Sequence, residues 1–419
     1  MVVSLGSVLQ FPRFPPFLLP LILINMTGHM ALSGGRLTGS LYVLKSAHPE
    51  ALVGLFMALF SVIPVMTALA IGRWVDRAGA VKVLRVGMAL VLIGAWLPVL
   101  HLSMPTLLVT AMTIGFGFNV MSVAAQHTVG NLAPQATASE RMANFGWFAL
   151  GHSSSSTIGP FVAGLLIDHV SFRAAFVAMA LATCVSAWMV ATRIRGMSAP
   201  NLASVEEEPV SADDLVQEVR RKPQVLDLLE SHEMRRIYWV NAITASAWDL
   251  FIVMLPVLGH RLGYSASVIG TVFSLFALGT FMARAAMPWL SSRAHEWQIL
   301  RVALVVICLV YLVLPWAVLA PVLMLCGLVF GSAVGMSQPN MLSLLHQAAP
   351  PGRGGEAVGL RSVLSNSCSV IVPLAFGAAL SVVAITPVLL CGALVFASGL
   401  YPAQLGFTTR QARGLGKTD

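Results

Sequence analysis

The sequence predicts an all-α membrane protein, twelve transmembrane helices in two pseudo-symmetric six-helix bundles. Three observations carry this: charged residues are scarce, long apolar runs recur along nearly the whole chain, and its two halves repeat one another. Of 419 residues, 57% are hydrophobic and 10% charged, with a mean hydropathy of +0.83. Soluble domains carry about a quarter charged residues, and one core could not hide this much apolar surface from water.

The first apolar run, 17–44, is far longer than the core of a signal peptide and carries Arg36, so it reads as a retained helix. The runs 50–71, 81–102, 105–129, 142–166 and 173–194 complete the first half. A polar stretch follows, and the second half reads 236–259, 265–289, 299–318, 320–346, 358–381 and 385–405. Each can cross about 30 Å of hydrocarbon, and none shows the strict alternation of a barrel strand, so the spans are helices. The expected division is an N-terminal bundle over 1–194, a linker over 195–235 and a C-terminal bundle with a short tail over 236–419. Within the linker, Ser211 and Asp214 resemble a capping box, which would start a short surface helix over 212–221.

The net charge of +8 is a topology signal rather than a mark of nucleic-acid binding. All Lys and Arg fall on the side bearing the termini, except Arg36 inside helix 1 and Lys45, Arg173 and Arg261 on the other side. Under the positive-inside rule both termini are cytoplasmic. The five cysteines (Cys184, Cys308, Cys326, Cys368 and Cys391) lie in apolar stretches without ligand spacing, so neither a disulfide framework nor a metal site is expected.

The internal repeat is the most specific feature. A shift of 216 aligns Gly54 with Gly270, Leu59-Phe60 with Leu275-Phe276, Arg77 with Arg293, and Leu84-Arg85-Val86 with Leu300-Arg301-Val302. A shift of 213 aligns Gly146 with Gly359, Ser154 with Ser367, Ser156 with Ser369, Pro160 with Pro373 and Gly164 with Gly377. One loop three residues shorter accounts for the change of offset, so helices 1–6 and 7–12 are copies.

Between helices 2 and 3 the chain reads Gly72-Arg73-Trp74-Val75-Asp76-Arg77-Ala78-Gly79, with Lys82 close by. This resembles the signature loop of the major facilitator superfamily, with Trp74 for the usual Leu and Ala80-Val81 for the usual basic pair. Gly159-Pro160-Phe161-Val162-Ala163-Gly164 in helix 5 resembles an element of that superfamily's drug/proton antiporters, with Ala163 at the first closing glycine. The resemblance implies a bacterial inner-membrane secondary transporter, monomeric, working by alternating access without a cofactor. It implies that Gly72, Asp76, Arg77 and Gly79 form a cytoplasmic gate, Asp76 meeting the start of helix 11 near Gly354-Gly355 when the cavity opens outward. Those antiporters also carry an Arg in helix 4; here helix 4 offers Asn119, Gln126 and His127 but no Arg or Lys, so proton coupling would need another route.

Charges inside the membrane are costly and face wet cavities or partners. Asp249 is the acid nearest mid-membrane and Arg36 the base farthest from both ends; Arg284 and Arg361 are within reach of the interface. Arg36 and Asp249 occupy equivalent helices, 1 and 7, which with 4 and 10 line the central cavity in the resembled fold. Three roles stay open: a latch between them, anion binding by Arg36 with a proton on Asp249, or separate structural charges. His29, Asn119, Trp248, Gln338 and Asn340 are further candidates for substrate or proton contact on the lining helices, and Asn241 is a polar neighbour. Gly159, Pro160 and Gly164 would permit close packing and a bend in helix 5. The small hydroxyls of Ser153 to Ser156 and His152 read as helix packing. No HExxH, nucleophile–base pair or carboxylate cluster lies in the helices, so catalysis is not expected. The expectation is proton-coupled export of a small organic solute. Proton-coupled uptake of an organic anion or metabolite is the first alternative, and a non-transporting sensor or scaffold the second.

Overall fold

The computed structural model describes residues 18–46, 48–131, 138–194, 225–291, 293–350 and 353–415. The expected surface helix over 212–221 lies outside them. Among the described residues the chain is helical throughout, without a strand. The first half holds α1 (Leu18–Lys45), α2 (Ala51–Ala78), α3 (Ala80–Leu100), α4 (Met104–Asn131), α5 (Ala138–His169) and α6 (Phe172–Arg193). The second holds α7 (His232–Arg261), α8 (Ala266–Ala285), α9 (Glu296–Val313), α10 (Ala320–Ala348), α11 (Gly354–Leu380), α12 (Ile385–Ala397) and α13 (Leu400–Leu415), the last two continuing one another across a short break. Below, the terminal face is the side where α1 begins, and the opposite face the side where it ends.

Among the described residues, ten helical stretches, the α12–α13 pair counting as one, are long and apolar enough to cross a membrane, and α2, bent between Thr67 and Ala70, makes an eleventh. The bend follows Pro64, which removes a backbone donor inside the helix. The remaining long helix is α5, where His152 and the Ser153–Thr157 run dilute the apolar content. Its hydroxyls are turned inward: Ser154, Ser155, Ser156 and Thr157 all donate to carbonyls of their own helix. Outside, Trp188, Leu309 and Leu394 are exposed by 60%, 55% and 72%. Such a surface would drive aggregation in water and is compatible only with lipid.

Several ends differ from the hydropathy reading, because helical hydrogen bonds run past the apolar core into polar residues. The chief case is the stretch from Gly72. It was expected as a loop; instead α2 continues through Asp76 and Arg77 to Ala78. Only Gly79 breaks the helix, at φ 81°, a conformation that glycine adopts without a side-chain clash.

The repeat appears as repeated packing. In the first half α1 lies against α5 and α6, α2 against α4, and α3 against α4 and α6. In the second, α7 lies against α11, α8 against α10, and α9 against α10 and α12. Gly115 of α4 meets the backbone of Phe60, and Gly331 of α10 meets the backbone of Phe276, the residues that the shift of 216 pairs. A buried aromatic stack of Phe251, Phe276 and Phe330 (centroids 4.6 to 5.7 Å apart) anchors the second half.

The two halves meet through α2 with α11 and α5 with α8. These interfaces are built from the repeat's own glycines and prolines. A Cβ on Gly54 would strike the Pro373 carbonyl and Gly377. A Cβ on Gly270 would lie 2.5 Å from the Pro160 carbonyl oxygen and 3.5 Å from Gly164. The residues that made the repeat legible therefore bring the two halves into backbone contact.

Candidate functional site

Packing of α2 on α11 and of α5 on α8 closes the opposite face, and polar bonds reinforce it. Asp168, near the end of α5, accepts the backbone N–H groups of Ala266 and Ser267 at 3.0 and 2.7 Å. These are unpaired donors at the start of α8, where the helix dipole also favours a carboxylate. Arg261, ending α7, makes a two-pronged ion pair with Glu50 before α2, with Nε to Oε1 at 2.7 Å. Ser274 of α8 donates to the carbonyl of Thr157 in α5. We expect Asp168→Asn to weaken this closure by about 0.3–2 kcal/mol, the range for a charge at a helix terminus. Cysteines near residue 170 should then label faster from the opposite face; an unchanged rate would mean that Asp168 does not hold the halves together.

Behind this closure lies a cavity of two adjoining lobes that share Arg36, Trp248, Asn366 and Ser369. The larger, about 280 Å³, is lined by His29, Phe60, Phe118, Asn119, His152 and Phe276, among others. The smaller, about 180 Å³, is lined by Asn241, Asp249, Gln338 and Arg361. Asn241 and Arg361 fall in the first third of α7 and α11, so this lobe extends toward the terminal face.

Among the described residues Asp249 is held by Ser369, whose Oγ lies 3.0 and 2.9 Å from its two oxygens and donates its proton to them. Arg36 shares the lobe, yet no direct ion pair joins the two among the described residues. The Arg36 guanidinium stands 5.0 Å over the ring of Phe60, and its buried Nε has no hydrogen-bond partner among the described residues. Arg361 donates through Nε to Asn241 Oδ1 at 2.9 Å. Arg284 donates to Ser153 Oγ and Gln338 Oε1, each at 3.3 Å. Both arginines thus point inward, although their positions near helix ends had suggested the interface.

His29 and His152 lie against each other with ring centroids 3.8 Å apart and planes tilted by 42°. Nδ1 of His29 lies 2.8 Å from Ser155 Oγ, and that hydroxyl donates to the His152 carbonyl. Asn119 and Trp248 line the cavity as the sequence suggests. Asn340 does not: it is buried, its Nδ2 donates to the Met336 carbonyl, and it borders a separate pocket with Glu296. Gln338 and Asn340 sit about 200° apart around one helix, so both cannot face the same space.

The remaining candidates divide between two faces. Gly159 packs against Ser33 and Met30 of α1, while Pro160 and Gly164 form the α5–α8 contact. Asp76 is exposed, 3.7 Å from Nε2 of His127 in α4 of its own half. With the opposite face closed, the resemblance does not place Asp76 against α11. Ser369 was within reach of sequence reasoning as the repeat partner of Ser156. Asp168 and the Glu50–Arg261 pair were not, since which helix ends meet depends on tertiary register.

The family model of the Major Facilitator Superfamily matches residues 18–373, and the chain belongs to that superfamily. Its fold is that of secondary transporters, and it is an integral membrane protein. Solved structures with a similar fold include a POT family transporter in complex with 5-aminolevulinic acid (13% identity, 95% of this chain and 96% of that one, TM-score 0.74). A peptide transporter POT in complex with sulfate is similar as well (14% identity, 96% of each chain, TM-score 0.75). So is the nucleoside transporter NupG (12% identity, 93% of this chain and all of that one, TM-score 0.74). At such identities the likeness shows the fold alone. No curated protein matches the sequence.

Proposed function

We propose that this protein is a secondary active transporter that moves a small organic solute by alternating access, coupled to protons, and works as an exporter. The observation that carries the coupling is Asp249: a carboxylate in the cavity between the halves, held by a serine and, among the described residues, in no salt bridge. A carboxylate so placed is free to take up and release a proton as the cavity changes sides. The helix-5 element favours export, and transport is read in place of any catalytic role. The bundles 1–194 and 236–419 rock about this site, tethered by 195–235. The distribution of Lys and Arg supports cytoplasmic termini in a bacterial inner membrane, and the protein is read as a monomer. The test is flux of a solute panel in proteoliposomes under an imposed pH gradient. Collapse of the gradient should abolish accumulation of the transported solute, whereas accumulation indifferent to the gradient would reject proton coupling.

The gate at the terminal face is read from Asp76. When that face closes, its carboxylate moves to the start of α11 and is worth about 0.3–1 kcal/mol there, enough to change a two-state population severalfold. Asp76→Asn should therefore favour the state open to the terminal face and slow transport, with expression and thermal stability near normal. Cysteine accessibility across that face reports the shift; wild-type accessibility with failed transport would remove Asp76 from the gate.

A further inference from the structure

The charges lining the cavity do not balance. Arg36 and Arg361, from α1 and α11, line it, and the carboxylate among them is Asp249, which bonds to Ser369; Arg284 of α8 is not part of the lining but donates to Gln338, which is. Arg361 and Arg284 are met by the neutral side chains of Asn241, Ser153 and Gln338, and Arg36 Nε by no partner. Among the described residues, no carboxylate pairs with any of the three. Arginine keeps its charge and presents a planar fork suited to carboxylate or phosphate oxygens. A buried cation without a counter-charge is costly, and a site that holds several is short of anions until one enters.

The two lobes differ in chemistry. Arg36, Arg361, Asn241 and Gln338 surround the smaller, whereas Phe60, Phe118, Phe273 and Phe276 wall much of the larger. Arg36 and Trp248 stand where the lobes join. We infer that the transported solute is an amphipathic organic anion, its acidic head among the arginines in the smaller lobe and an apolar or aromatic body in the larger one. With two lining cations and one carboxylate, the cavity favours a negatively charged head over a neutral or cationic one. The inference rests on the transport reading above and names the substrate class for that same cavity.

Binding separates it from coupling. The full chain, purified in detergent, is titrated with phenyl phosphate, benzoate, benzyl alcohol and benzylamine, which share a body and differ in charge, and thermal stabilisation is read. Phenyl phosphate and benzoate should both stabilise, with the alcohol and the amine ineffective. Arg36→Gln and Arg361→Gln should each weaken phenyl phosphate about tenfold or more. Asp249→Asn should bind it at least as tightly, because a competing negative charge is gone. Equal stabilisation by all four, a preference for the amine, or no stabilisation by any would overturn the inference. Should Arg36→Gln fail to fold, Asp249→Asn and salt dependence decide: affinity for phenyl phosphate must not drop in the first and must fall with ionic strength. If the anion binds as described while flux ignores the pH gradient, the coupling reading falls and the substrate class stands.

Discussion

Gly270→Leu is expected to abolish transport while leaving the protein folded and inserted. Gly270 lies in α8 where a Cβ would already sit 2.5 Å from the Pro160 carbonyl oxygen of α5. That neighbour is backbone and belongs to the other half, so a leucine cannot be accommodated by a rotamer change. The strain arises only when the opposite face is closed. Overpacking costs about 1–3 kcal/mol, and each 1.4 kcal/mol is about tenfold in population. The closed arrangement should therefore lose most of its occupancy, and the cycle should stall with the opposite face open. Gly54→Leu should do the same at the α2–α11 contact. Gly146, a repeat glycine with no atom within 4 Å of its would-be Cβ, provides the control: Gly146→Ala should transport normally. Normal transport by Gly270→Leu would mean that the α5–α8 contact is not part of the cycle.

Asp249→Asn carries the second large effect. The amide keeps the shape of the side chain and a hydrogen bond with Ser369 but carries no exchangeable charge. If Asp249 is the proton carrier, accumulation driven by a pH gradient should fall to the level of passive equilibration. Counterflow exchange of solute, which needs no net proton movement, should continue. The two assays on the same vesicles separate loss of coupling from loss of folding or binding. Undiminished pH-driven accumulation in the mutant would leave Asp249 without the role.

The helix order was legible because hydropathy is a local property and each span satisfies its own backbone. The repeat was legible for a stronger reason: Gly54, Gly270, Gly164 and Gly377 cannot carry a side chain without parting the two halves, since each meets backbone of the other half, so both copies keep glycine there. Arg36 and Asp249 were singled out because any charge in mid-span is conspicuous. Arg284 and Arg361 were read as reaching the interface because position along a helix gives depth in the membrane but not the direction of a long side chain. Asn340 misled for the related reason that neighbours two residues apart face nearly opposite ways. The stretch from Gly72 was expected to be a loop because its residues are polar, yet charged side chains at the end of a span are compatible with helix until a residue such as Gly79 breaks it.

Alternating access is tested most directly by nitroxide distances on both faces of one protein. With the native cysteines replaced, labels at Val170 and Val318, which are 67% and 61% exposed, span the halves at the opposite face. Labels at Lys82 and His346, both exposed, span them at the terminal face. Relative to wild type, Gly270→Leu should lengthen the first distance and shorten the second in the same sample. If the first lengthens while the second stays fixed, the halves merely splay apart, and the account of one site exposed to each side in turn is wrong.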